Sequence, residues 1–212
     1  MDIHNIRREY IKKKLHLKDL NKNPFKQFDQ WFKIALNEIK FDPNAISLAT
    51  VGKDNKPSLR TVLLKYYDET GFVFFTNYGS RKSKQIEENE NVALLFFWVT
   101  LERQIIIEGK AEKISKSESL KYFSSRPHGS QLGAWVSQQS SIISSKSILL
   151  SKLEEIKRKF KEGKVPLPDF WGGYRVKPER IEFWQGGENR LHDRFLYTKN
   201  ANDDWKINRL AP

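Results

Sequence analysis

The 212-residue chain has no cysteine. Disulfides, thiolate metal sites and a cysteine nucleophile are therefore excluded, and any redox chemistry must come from a bound organic cofactor or a non-thiolate metal. Histidine is scarce as well. The four, His4, His16, His128 and His192, show no metal-ligand spacing, so no metal site is expected. No run of about 18 apolar residues occurs, and residues 1–10 lack the apolar stretch of a signal peptide. A soluble, cytoplasmic protein without a membrane partner is expected. No nucleophile with an evident base and no carboxylate pair among apolar residues stands out, which disfavours hydrolase chemistry.

Aromatic residues, by contrast, make up 13% of the chain, with six Trp and fourteen Phe. That suits a packed, sheet-rich core and argues against disorder. The length fits one domain, expected over residues 21–212 after an N-terminal arm over 1–20. The net charge of +12 raises the question of nucleic acid. Much of the excess sits in Lys12, Lys13, Lys14 and Lys18 of the arm and in a lysine-rich helix carrying Lys146, Lys152, Lys157, Arg158, Lys159, Lys161 and Lys164. These read as solvated faces, so no nucleic-acid partner is expected.

Asn23-Pro24 followed by Phe25, Phe28, Trp31, Phe32, Ala35, Leu36 and Ile39 has helical spacing, with Asn23 as N-cap and the stripe facing the core. Turn chemistry then separates strand-like runs at 45–51, 58–67 and 72–77, read as an antiparallel meander. Residues 80–89 form a short helix capped by Ser80, 92–99 and 102–114 form strands, 115–125 and 144–162 form helices, and strands return from Trp171. The fold class expected is α+β, built on an antiparallel barrel or sheet with surrounding helices.

Several cations stand in unusual settings. Arg60 and Lys65 bracket the apolar Thr61-Val62-Leu63-Leu64 in what reads as an interior strand. Being five apart they fall on opposite faces, either snorkelling at the strand ends or holding two different anions. Thr76-Asn77-Tyr78-Gly79-Ser80-Arg81-Lys82 ends a strand and opens a helix, a phosphate cradle or a plain solvated helix start. Tyr122, Arg126 and Ser130 suit a second phosphate, with His128 a surface residue of the same loop. Arg190, His192 and Arg194 would share one face of a strand, a cationic row that calls for an anion or a flat electron-rich ligand. Together with Trp184, these groups suggest a planar, phosphorylated ligand.

In this order the residues resemble the pyridoxine/pyridoxamine 5'-phosphate oxidase family, flavin enzymes of the split-barrel fold. The resemblance spans nearly the whole chain: Arg7-Arg8-Glu9-Tyr10, Arg60 to Lys65, Phe74-Phe75-Thr76-Asn77-Tyr78 with Ser80-Arg81-Lys82, Leu101-Glu102-Arg103-Gln104, Tyr122 to Ala134, Gln139-Ser140, Trp171-Gly172-Gly173, Phe183 to Arg194, and Arg209-Leu210-Ala211-Pro212. It implies FMN as cofactor. Arg60, Lys82, Gln139 and Ser140 would hold its phosphate and ribityl chain, with Arg81, Phe75, Thr76 and the backbone of Thr61, Val62, Leu63, Leu64 and Lys65 completing the pocket. Gln104, Trp184 and Arg194 would surround the isoalloxazine. Lys65, Tyr122, Arg126 and Ser130 match the substrate phosphate clamp, Arg190 and His192 the catalytic groups over the pyridine ring, and Arg7 and Tyr10 a closing segment.

The resemblance also implies a homodimer with FMN between subunits, and oxidation at C4' by hydride transfer to flavin N5. Oxygen would reoxidise the flavin to give hydrogen peroxide, with ammonia released from the amine substrate. Two alternatives stay open. One is another split-barrel flavin reductase or FMN-binding protein with a different substrate; the other is a non-catalytic carrier or basic nucleic-acid binder.

Overall fold

A computed structural model describes residues 1–5, 8–161, 163–200 and 202–212. Helix α1 (Pro24–Glu38) starts as its sequence requires: the Asn23 side chain accepts the backbone N–H groups of Phe25 and Lys26, and proline occupies the first helical position. Its stripe packs into the core. Phe28 meets Phe72 at 4.9 Å and Phe96 at 5.2 Å between ring centroids, and Trp31 meets Phe183 at 5.3 Å. Leu36 departs from expectation and is exposed.

The strands are β1 (Ala45–Val51), β2 (Pro57–Leu63), β3 (Tyr66–Asp68), β4 (Gly71–Asn77), β5 (Asn91–Trp98), β6 (Arg103–Lys113), β7 (Trp171–Gln185), β8 (Asp193–Lys199) and β9 (Trp205–Leu210). They form one curled antiparallel sheet in the order β2-β1-β5-β6-β7-β4-β3, with β8 joined to β7 and β9 to β8. The expected α+β class holds. The meander does not, because β2 and β3 lie at opposite ends of that path. The expected single strand over 58–67 breaks where the Leu64 N–H donates to Asn44 O and the Lys65 N–H donates to Val73 O. Consecutive residues thus change partners, and the chain passes from one margin of the sheet to the other. Arg60 consequently lies on a terminal strand of the path, not an interior one.

The longest strand, β7, pairs with β4 through its first half, with β8 through its second and with β6 from Tyr174 to Gln185, so it ties the two hairpin systems together. A bulge sits at Glu108/Gly109. An added Cβ at Gly109 would stand 2.0 Å from the Lys177 carbonyl oxygen, which explains the glycine.

Four further helices complete the fold: α2 (Arg81–Glu88), α3 (Lys116–Ser125), α4 (His128–Val136) and α5 (Lys146–Lys159). Ser80 occupies the N-cap position of α2 but makes no side-chain capping bond. Helix α4 was not expected from sequence. It turns the segment after Pro127 from a loop into a helix that buries Leu132 and Val136 against Phe123, Ile156 and Trp171, a second core beside the first. None of the described helices is long and apolar enough to cross a membrane.

Candidate functional site

The strand-to-helix corner between β4 and α2 holds a buried lysine. Lys82 is 8% exposed, and its Nζ donates to Gln139 Oε1 at 2.7 Å, Thr76 Oγ1 at 3.1 Å and Ser80 Oγ at 3.3 Å. All three acceptors are neutral. Burial, aided by the nearby Arg60 charge, pushes its pKa down to about 8. Arg60 sits opposite Leu48 in the β1–β2 register and donates to Leu48 O at 2.9 Å, Thr50 Oγ1 at 2.7 Å and the Ser58 hydroxyl. Its pKa too is lowered by burial and by Arg81. Neither cation has an acidic partner among the described residues. A buried lysine and a half-buried arginine, adjoining and without a counter-charge among the described residues, are groups that an anion would compensate.

A cleft of about 780 Å³ opens on these groups and is lined by Arg60, Thr61, Val62, Leu63, Lys65, Phe75, Thr76, Lys82, Tyr122, Arg126, Ser130 and Gln139, among others. Arg60 and Lys65 therefore share one cleft. The expected placement on opposite faces fails because the strand ends at Leu63 and the break after it cancels the alternation. Leu64 is buried beneath the lining. Arg81 and Ser140 border an adjoining, larger cavity of about 1060 Å³ that shares Asn77, Ser137 and Gln139 with the cleft. There the Arg81 N–H donates to Ser140 Oγ at 3.3 Å.

Three aromatic rings form one wall. Phe75 stacks on Tyr122 at 4.0 Å and on Trp171 at 5.3 Å, and the Arg126 guanidinium lies over Trp171 at 4.7 Å. Arg126 Nη1 is buried with no hydrogen-bond partner, and burial lowers its pKa. An orphaned guanidinium N–H in a cleft that also holds Lys65, Tyr122 and Ser130 is a second place for an anion.

The remaining expected residues gather elsewhere, and none of them lines the cleft. Gln104, Trp184 and Arg194 lie in one cross-strand row, Gln104 opposite Trp184 and Trp184 opposite Arg194. His192 packs on Trp184 at 4.7 Å, and Tyr10 meets both rings edge-on, at 5.6 Å to Trp184 and 5.5 Å to His192. The expected strand through Arg190, His192 and Arg194 is corrected. Glu188–Arg190 is a short 3₁₀ turn, Asn189 and Arg190 have φ of 52° and 62°, and β8 begins only at Asp193. A close return of the chain forces this, since a Cβ on Gly187 would stand 2.4 Å from Leu191 O. Nor is Arg194 an uncompensated cation: its Nε and Nη2 pair with Glu182 at 2.7 and 3.0 Å, and its Nη1 donates to Ala211 O at 2.9 Å. Arg7 lies outside the described residues.

His192 Nδ1 accepts the Gly187 backbone N–H at 3.1 Å, which puts the ring proton on Nε2. Burial and then the Arg190 and Arg194 charges lower its pKa, so it is neutral near pH 7. Sequence reasoning missed three supporting acids and amides: Gln85, whose Oε1 accepts from Thr50 and Ser58; Glu182; and Glu102, which holds Arg8. Glu182 had a signal, because it stands two residues from Trp184 and so on the same strand face.

A curled antiparallel sheet of this order with helices around it is a split barrel, a class of fold shared with solved structures. Residues 32–160 match the family model for pyridoxamine 5'-phosphate oxidase, and residues 171–212 match that for the pyridoxine 5'-phosphate oxidase C-terminal dimerisation region. The chain belongs to the pyridoxine/pyridoxamine 5'-phosphate oxidase family of enzymes. It is 61% identical over 212 residues to the protein of that name from Aliarcobacter butzleri, covering all of both chains, and 56% identical to that from Yersinia pestis, covering 97% of it. Among solved structures it is similar to PhzG from Burkholderia lata in complex with tetrahydrophenazine-1-carboxylic acid, with a TM-score of 0.86, 29% identity, and 92% and 95% of the two chains covered. A pyridoxamine 5'-phosphate oxidase-related, FMN-binding protein from Nostoc punctiforme shares the fold at TM-score 0.73 and 14% identity, with 91% of this chain and 100% of that one covered.

Proposed function

We propose that this chain is a cytoplasmic homodimer that uses FMN to oxidise pyridoxine or pyridoxamine 5'-phosphate to pyridoxal 5'-phosphate. One observation carries the reading: a single cleft is lined by two sets of cations without acidic partners among the described residues, Arg60 with Lys82, and Lys65 with Arg126. Cofactor and substrate each bring one phosphate to such a pair of sites. Arg60 and Lys82, with Arg81, Gln139, Ser140, Phe75, Thr76 and the 61–65 backbone, would hold FMN. Lys65, Tyr122, Arg126 and Ser130 would clamp the substrate phosphate. When bound, FMN supplies the two-electron acceptor for oxidation at C4', with O2 as final oxidant and hydrogen peroxide as product.

The groups left outside the cleft, Tyr10, Gln104, Trp184, Arg190, His192 and Arg194, would then come from a second copy. The exposed Leu59, Leu63 and Phe97 support that, since Phe97 stands opposite Gln104 in the row that continues to Trp184 and Arg194. The protein's share in the reaction is positioning and electrostatics. His192, neutral and protonated on Nε2, is a fixed hydrogen-bond donor over the pyridine ring, and Arg190 stabilises charge as electrons leave the substrate.

Protonating His192 would set a second N–H against that of Gly187. Because its folded pKa lies below 6.5, the unfolded chain binds more protons in that window, so stability and kcat/KM both fall as pH drops below 6.5. His192→Asn, which keeps an acceptor near Nδ1, is expected to erase the acid limb of the pH–rate profile. An unchanged limb would assign it to another group.

The similarity to PhzG favours a second reading, a related flavin enzyme with another substrate. A phenazine carboxylate would bring a single carboxylate to Lys65 and Arg126, whereas a phosphate has oxygens enough for Tyr122 and Ser130 as well, so turnover of the phosphorylated substrate separates the two readings. Anaerobic addition of pyridoxine 5'-phosphate to the FMN-loaded protein is expected to bleach the flavin absorbance. Colour without bleaching supports the other flavin enzyme, and a colourless protein that shifts nucleic acid supports a basic binder.

A further inference from the structure

Glu102 is 2% exposed and lies at φ 56°, a left-handed conformation that is costly for a glutamate. Both of its carboxylate oxygens are taken by the N-terminal segment. Arg8 Nη2 donates to Oε1 at 3.0 Å, and the Lys12 backbone N–H donates to Oε2 at 3.0 Å. Its main-chain carbonyl accepts the Gly186 N–H at 2.7 Å and Gln185 Nε2 at 3.1 Å. One residue therefore joins the segment, through its side chain, to the glycine pair before His192, through its backbone. Between the two tethered positions lies Tyr10, whose ring meets Trp184 and His192 and fills the space that a Cβ on Gly186 would need, 2.6 Å away.

We propose that Glu102 is the positioning residue of the N-terminal segment, fixing residues 8–12 so that Tyr10 closes against Trp184 and His192 and substrate affinity is set by a group that never touches substrate. The inference rests on the reading above, in which Tyr10 and His192 face the substrate. The chemistry explains the residue type. Two N–H donors converge on one side chain, and a carboxylate offers two acceptors and no donor, with charge assistance from Arg8. A carboxamide turns an N–H₂ toward one of those donors, and aspartate is a methylene too short.

The test uses the FMN-loaded protein with Glu102→Gln, Arg8→Ala and Arg8→Lys. Two quantities are read: kcat and KM for pyridoxine 5'-phosphate, and the rate of tryptic cleavage at Lys12 to Lys14 in the intact chain. Glu102→Gln is expected to raise KM roughly tenfold or more, with kcat changed by less than about twofold, because the closed segment is less populated. Arg8→Ala is expected to raise KM by roughly threefold, since the Lys12 bond remains, and Arg8→Lys to recover most of that loss. Cleavage should accelerate in step with KM. Should Glu102→Gln fail to fold, the Arg8 pair carries the test, because Arg8 lies on the surface. Faster cleavage with unchanged KM would overturn the proposal, as would a raised KM with unchanged cleavage. A wild-type protein without turnover would strike the oxidase reading instead, and the cleavage rates would still decide whether Glu102 holds the segment.

Discussion

Arg190→Ala is expected to lower kcat by roughly 10²–10³-fold while FMN remains bound, the range found when one preorganised donor to developing charge is removed. The geometry separates this residue from the cofactor cradle. Arg190 does not line the cleft that holds Arg60 and Lys82. Its side chain is exposed, and no ion pair to it forms among the described residues, so its loss should change stability by no more than about 0.5 kcal/mol. The backbone beneath it is another matter. Arg190 adopts a positive φ at about 1–2 kcal/mol, where a plain strand would cost nothing, and Asn189 beside it does the same at the lower cost an asparagine bears. The Leu191 N–H to Glu188 O bond at 2.9 Å and the tight approach at Gly187 hold the turn in place. Strain kept in a turn that presents one guanidinium beside a fixed, neutral imidazole fits preorganisation. Arg190→Lys keeps the charge but not the planar fork and should fall between wild type and alanine. The measurement pairs steady-state turnover with flavin content by absorbance; full turnover in the alanine variant would remove Arg190 from the chemistry.

The parts of this molecule legible in sequence were those written in local pattern. The Asn23-Pro24 start of α1 and its aromatic stripe need only capping chemistry and helical spacing, and the structure reproduces both. The strand-to-helix corner from Thr76 to Lys82 was legible because hydroxyls, glycine and lysine follow one another at a strand end, and β4 does end at Asn77 with α2 starting at Arg81. What failed depended on partners distant in sequence. Nothing in Leu63-Leu64-Lys65 announces that successive N–H groups go to Asn44 and Val73, yet that exchange moves Lys65 into the cleft with Arg60. Helix α4 contains Gly129 and Gly133, which lower its intrinsic propensity, and it exists because Leu132 and Val136 find a second core. The Glu188–Arg190 turn has its left-handed residues at Asn189 and Arg190, not at the glycines where such a conformation is usually sought. The separation of the site into a cleft and an outlying Tyr10–Trp184–His192 cluster is invisible to a linear reading, because every one of these residues belongs to the same chain.

Lys82→Met is expected to weaken FMN binding roughly a hundredfold, about 2.7 kcal/mol, within the range for losing a charged hydrogen-bonding group. The same substitution should raise the melting temperature of the FMN-free protein. These opposite signs follow from one cause. Without an anion, Lys82 is a buried cation facing three neutral oxygens and the Arg60 charge, which pushes its pKa down to about 8. Below pH 8 the folded chain bears the cost of that charge. Between pH 8 and the ordinary lysine value near 10.5 the folded state has released the proton while the unfolded chain keeps it, so the cost is relieved as pH rises through this window. Methionine removes the charge at every pH and fills the same slot with a neutral, flexible side chain. A bound phosphate reverses the balance, because it supplies the missing counter-charge. Above pH 8, FMN binding is coupled to uptake of a solvent proton by Lys82, and wild-type affinity should decline by up to about tenfold per pH unit between pH 8 and 9.5. Flavin fluorescence titrations at pH 7, 8 and 9.5 measure both effects. An affinity independent of pH in wild type, matched by the methionine variant, would show that the phosphate is held elsewhere and would leave the buried charge of Lys82 without a ligand to explain it.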